Sequence, residues 1–119
     1  MGRHTIILGL LASTAIILPA NADMTFNRIA TFAVAENLPA DVDSATETSS
    51  EIIARSADGK TLIYSDSPLG GVGFVDISDA AAPASGGALM LDGEPTSVAV
   101  AGRKAIAAVN TSQSYTAPS

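Results

Sequence analysis

One short pattern occurs twice between Ser50 and Asn110, and it constrains the fold more than any other feature of the chain. The first copy runs Glu51-Ile52-Ile53-Ala54-Arg55, Asp58-Gly59-Lys60 and Thr61-Leu62-Ile63-Tyr64-Ser65-Asp66. The second runs Thr96-Ser97-Val98-Ala99-Val100, Ala101-Gly102-Arg103-Lys104 and Ala105-Ile106-Ala107-Ala108-Val109-Asn110. In each, two β-prone runs flank a turn of glycine plus a basic residue, and the second run ends on Asp or Asn, as in a β-hairpin. Gly59 and Gly102 are 43 positions apart, and Asp66 and Asn110 are 44 apart. A period of that length built only from short strands matches a β-propeller blade.

The segments around the repeat support an all-β reading. Runs at Ile52 to Arg55, Thr61 to Asp66, Val72 to Ile77 and Ala88 to Leu91 supply the four strands of one blade, and every separator between them holds Gly or Pro. Pro83 interrupts Ala80 to Ala84 and disfavours a helix there. Thr96 to Asn110 begins a second blade, so the expected architecture is about one and a half blades of antiparallel strands. Phe26 to Val34 alternates in part and is expected to be a further strand, one that completes the last blade of a ring. Glu36 to Ser50 is polar and predicts a loop, with a capping-box-like turn at Ser44-Ala45-Thr46-Glu47.

The N-terminus reads differently. Met1-Gly2-Arg3-His4 is a basic start, Thr5 to Leu18 is almost wholly apolar, and Pro19-Ala20-Asn21-Ala22 ends in an A-x-A pattern. This is the signature of a secretory signal helix over 1–22, cleaved after Ala22, leaving a periplasmic or secreted domain over 23–119. The competing reading, a membrane anchor, needs about 20 apolar residues, more than this run supplies, so no stable membrane insertion is expected after cleavage. Beyond Ala22 the chain carries five Lys or Arg against 12 Asp or Glu. Such an acidic surface repels phosphate backbones and disfavours nucleic acid as a partner. Without cysteine there is no disulfide, thiolate metal site or Cys nucleophile.

Two blades cannot close a ring, which takes four or more. The sequence is therefore expected to be the N-terminal portion of a longer propeller, partnered by the remainder of that propeller and inactive by itself. An independent small sandwich or an oligomer is the alternative.

Ser49-Ser50-Glu51-Ile52, Tyr64-Ser65-Asp66-Ser67-Pro68-Leu69-Gly70, Val75-Asp76-Ile77, Asp92-Gly93-Glu94-Pro95-Thr96-Ser97-Val98-Ala99-Val100 and Val109-Asn110-Thr111-Ser112 resemble the start of secreted bacterial esterase-like or phytase-like β-propellers. The resemblance covers most of 23–119. It implies a propeller of six to eight blades and a phosphoric ester hydrolase acting on a small-molecule phosphate or other ester. No catalytic motif of that family can be placed on particular residues here.

The residues themselves restrict the chemistry. His4 lies in the signal segment, so no Ser-His-Asp triad and no histidine metal site can form within 23–119. Carboxylates, amides and hydroxyls remain, and their oxygens suit Ca²⁺ or Mg²⁺. Blade geometry directs Glu51, Asp66, Ser67, Asp92, Glu94, Asn110 and Ser112 to one rim, with Glu51 and Glu94 in equivalent places of successive blades. A cation held among Glu51, Asp66 and Glu94 is the specific expectation. The bland counterpart has the same carboxylates capping turns or facing water. At the level of the whole protein, the alternative to hydrolysis is a non-catalytic binding scaffold.

Overall fold

The structure, a computed structural model, describes residues 25–113. The expected signal helix lies outside the described residues. Among them are six antiparallel strands in two sheets and one short 3₁₀ turn, Val34–Asn37. Strands β1 (Ile53–Arg55), β2 (Thr61–Asp66), β3 (Gly71–Asp76) and β4 (Ala84–Met90) form one sheet in the order β1-β2-β3-β4, a simple meander. Strands β5 (Glu94–Ala101) and β6 (Lys104–Asn110) form a two-stranded sheet.

The turns follow from the glycines that the sequence places in them. Gly59, Gly70 and Gly102 take φ of 76°, 73° and 60°, a left-handed region where other side chains are strained. In the first hairpin Asp58 and Ser56 add support: Asp58 Oδ1 accepts from Ser56 Oγ at 2.7 Å and from the Lys60 N–H at 3.1 Å. Those bonds hold the exposed Asp58 carboxyl below its ordinary range.

Register assigns the two faces of the first sheet. Ile53 pairs with Tyr64, Leu62 with Val75 and Ile63 with Phe74. By strand alternation, Leu62, Tyr64 and Val75 therefore share one face, and Ile63, Val72 and Phe74 the other. Each is covered by a different part of the chain. Ile29, Phe32 and Val34 flank an apolar concavity of about 310 Å³ with Leu62, Tyr64 and Val75. On the opposite face, Val98 and Ala107 of the β5–β6 hairpin meet Ile63, Val72 and Phe74. Ile63, Val72, Val75 and Val98 are each at most 7% exposed. Burying a side chain of this kind stabilises by about 1.5 to 3 kcal/mol, so the core straddles the first sheet.

Several expectations require correction or refinement. Residues 26–33 form no strand; Ile29, Ala30, Thr31 and Phe32 instead line the apolar concavity over one face of the first sheet. The loop with a turn expected at Ser44–Glu47 is present, and the residue that braces it is Asp43, whose Oδ1 accepts from the Ala45 N–H at 2.9 Å. Strand β4 begins at Ala84 and not at Ala88, since Gly86 packs its bare Cα against Phe74 where a Cβ would lie 2.8 Å from Phe74 Cβ. A β-bulge at this point sets Gly86 and Gly87 against Phe74.

Candidate functional site

Loops at one end of the two sheets meet around Asp66. This residue ends β2 and is 0% exposed. Its Oδ1 accepts from the Ser49 N–H at 3.0 Å and the Leu69 N–H at 3.1 Å. One oxygen thus fastens the segment entering β1 to the turn leaving β2. The other oxygen, Oδ2, is buried with no protein partner. A buried acceptor left unpaired costs about 1 to 3 kcal/mol.

Neighbouring Ser67 connects the two sheets. Its hydroxyl is placed to donate to Glu51 Oε2 and, at 2.9 Å, to the Pro95 carbonyl of β5. A hydroxyl has one proton, so one of these acceptors holds it at a time. Pro95 itself is buried, and the loop tip is tied further by the Leu91 N–H donating to the Gly70 carbonyl at 2.9 Å. Just beneath, the Ser65 hydroxyl accepts from the Ile52 N–H at 3.1 Å.

Of the three carboxylates expected to share a cation, Glu51 and Asp66 lie at this junction, each tied to a different part of it. Glu94 starts β5 opposite Asn110 and is exposed. Among the described residues no three acidic, His or Cys side chains gather as a metal-binding group. The observation that speaks for an oxygen-seeking ligand is Asp66 Oδ2 alone. Asp92 is exposed, and Asn110 turns its Oδ1 onto the Ser112 N–H at 3.0 Å.

The most fully connected polar side chain among the described residues is one the sequence did not single out. Asn37, 2% exposed, donates from Nδ2 to Tyr64 Oη and to the Phe74 carbonyl, both at 2.9 Å. Its Oδ1 accepts from Ser85 Oγ at 2.7 Å and from the Gly87 N–H at 3.1 Å. All four of its hydrogen-bonding positions are filled. A lone Asn in a polar loop carries no sequence signal for this; only the Gly86-Gly87 pair, which frees an N–H from the β3–β4 ladder, hints at it. Tyr64 is buried beside this network, and burial raises its phenol above the ordinary value of 10.0, with the Asn37 bond opposing and the Asp66 charge adding to the rise.

Comparison with known proteins finds no family model, no curated protein and no solved structure that matches this chain.

Proposed function

We propose that residues 25–113 are one complete blade and the opening hairpin of the next in an exported β-propeller of the esterase-like phytase type, acting on phosphate or other esters. The observation that carries this reading is the four-stranded meander with a second hairpin stacked on its face. It agrees with the 43-residue spacing of the turn glycines. In a propeller, successive blades stack face to face, and the apolar cover on both sides of β1–β4 suits that environment.

Within this reading, the Asp66 corner is a structural joint of the rim, and substrate is met by the exposed acidic groups around it, Glu51, Asp92 and Glu94. An assisting Ca²⁺ or Mg²⁺ would draw on oxygen ligands at this end of the sheets, the unpartnered Asp66 Oδ2 among them. The test is to express the complete reading frame with its leader and assay the processed product on p-nitrophenyl phosphate and p-nitrophenyl acetate, with Ca²⁺, with Mg²⁺ and with a chelator. Turnover of either ester that is lost with a nucleophile-blocking or chelating agent supports the hydrolase. No turnover of either ester, in a product with a β-rich circular dichroism spectrum, refutes it.

A second reading, a non-catalytic ring that presents its rim to a polymer or protein, is favoured by one specific observation. Asp66 and Glu51, two carboxylates at this end of the sheets, are both engaged in holding the chain together.

A further inference from the structure

Two peptide links in the chain are chemically alike, and the fold treats them differently. Asp58-Gly59 and Asp92-Gly93 are the two Asp-Gly pairs of the sequence, which contains no Asn-Gly. At such a pair the glycine nitrogen is open to attack the aspartyl side-chain carbon, because no Cβ on the glycine shields it. The N–Cγ bond forms, the Cγ–OH bond breaks, and the amide proton leaves with that hydroxyl as water. Water then opens the succinimide. Where it adds at the former peptide carbonyl, the bond from that carbon to nitrogen breaks, and the chain afterwards runs through Cβ and Cγ as an isoaspartyl link. Mass and charge equal those of the starting chain, and no reagent but water enters.

Both glycines are demanded by the backbone. Gly59 and Gly93 take φ of 76° and 132°, and a Cβ at Gly93 would lie 2.6 Å from the Asn110 carbonyl oxygen. The reactive pair therefore comes with each turn, and its fate depends on what holds the two reacting groups. In the β1–β2 turn both are held. The Gly59 N–H donates to the Ser56 carbonyl at 3.0 Å, and Asp58 Oδ1 accepts from Ser56 Oγ and from the Lys60 N–H. The Ser56 hydroxyl above all, with the Lys60 N–H behind it, keeps the Asp58 carboxyl below its ordinary range, and a carboxylate is a poorer electrophile than the acid. Attack at Asp58 has to break bonds on both partners.

In the link from β4 to β5 neither partner is held. Asp92 is exposed; among the described residues its carboxylate accepts no hydrogen bond and the Gly93 N–H donates none. The residues on either side are fastened, Leu91 through its N–H to the Gly70 carbonyl and Pro95 by burial. We infer that, of the two Asp-Gly pairs, Asp92-Gly93 is the site of spontaneous isoaspartyl formation, and that Asp58 is protected from the same reaction by its own turn. Conversion at Asp92 inserts one methylene into the backbone joining the two sheets, beside the Glu94–Asn110 pair that opens β5. This inference does not draw on the hydrolytic reading.

The test follows both sites in one sample. Full-length chain is aged in mildly acidic buffer, digested, and mapped by electron-transfer mass spectrometry, whose fragment ions separate the two isomers. In the folded chain isoaspartate should form at 92 at least about fivefold faster than at 58, the rate equivalent of about one hydrogen bond. In guanidinium chloride, where neither turn persists, the two rates should come within about twofold of each other. Ser56→Ala takes the hydroxyl away from Asp58, so it should raise the rate at 58 by about three- to tenfold and leave the rate at 92 unchanged. Equal rates in the folded chain, or a faster rate at 58, overturn the inference. So does a preference for 92 that persists undiminished in denaturant, which would assign it to the flanking residues, or a rate at 58 that does not respond to Ser56→Ala.

Discussion

Asn37 fastens the 3₁₀ turn to β2, β3 and β4 through one amide, and each of its partners loses something different when it is cut away. The Phe74 carbonyl is left without this partner, and the Gly87 N–H keeps only its longer bond to Ser85 Oγ at 3.2 Å. Their identities also fix the amide orientation, since the carbonyl can only accept and the N–H can only donate. Asn37→Ala is predicted to destabilise by about 2 to 4 kcal/mol, the cost of leaving two or more buried polar groups unpaired. Urea unfolding followed by circular dichroism measures it, and a loss below about 1 kcal/mol would show that water replaces the amide freely. Tyr64 responds to the same surroundings through pH. Its phenol is raised in the folded state by burial, so above pH 10 the unfolded chain releases this proton first and binds fewer protons than the folded one. Stability contributed by neutral Tyr64 is therefore full below about pH 10 and is lost as pH rises through the folded value. The expected result is alkaline unfolding between these limits that is reduced in Tyr64→Phe, read by unfolding midpoints at several pH values above neutrality.

At the scale of elements, the hairpins were legible because their turn chemistry is local. Asp58-Gly59 and Gly102 sit where positive φ is required, and the flanking β-branched and apolar residues have only one sensible partner strand. Strand β4 was legible only in part, since Ser85-Gly86-Gly87 looks like a linker until Phe74 is placed over it. The same holds for Gly73, where the signal is in a neighbour two strands' width of sequence away. Gly73 pairs with Tyr64, and a Cβ at Gly73 would lie 2.0 Å from Tyr64 Cζ. The ring lies over the bare backbone, and the glycine is the condition for its burial. Gly73→Ala should therefore destabilise by about 3 kcal/mol, at the upper end of overpacking costs, and Gly73→Ala with Tyr64→Ala should cost less than the sum of the two single changes. Additive losses in a double-mutant cycle would refute the contact. The expected strand at 26–34 failed for a related reason: alternation reports that a segment is half buried, but not whether an edge is free to receive it. For the expected cation set, spacing places Glu51, Asp66 and Glu94 at one end of the sheets but cannot show that Asp66 Oδ1 is held by the Ser49 and Leu69 N–H groups.

For the whole molecule, the decisive question is whether the two sheets unfold together. A two-stranded hairpin is marginal in water, so β5–β6 depends on the face of the first sheet for its stability. The tie is narrow: Val98, 7% exposed, against Ile63 and Val72, with Ser67 donating to the Pro95 carbonyl at the rim. The first sheet has more to lean on, because residues 29–34 and the Asn37 clip cover its other face independently. Val98→Asp places an uncompensated carboxylate in the apolar space between the sheets, a cost of about 3 kcal/mol or more. That exceeds what so small a contact returns, so the hairpin is predicted to separate while β2 and β3 stay paired. Hydrogen exchange would then show lost protection at the amides of β5 and β6, with protection of Tyr64 and Val75, whose N–H groups face the β2–β3 ladder, largely retained. Ser67→Ala should act in the same direction but more weakly, by about 1 kcal/mol, because it removes one exposed hydrogen bond and no apolar area. Loss of protection in both sheets together after Val98→Asp would mean that the faces act as one cooperative unit, and the hairpin could no longer be treated as a separable addition to the first sheet.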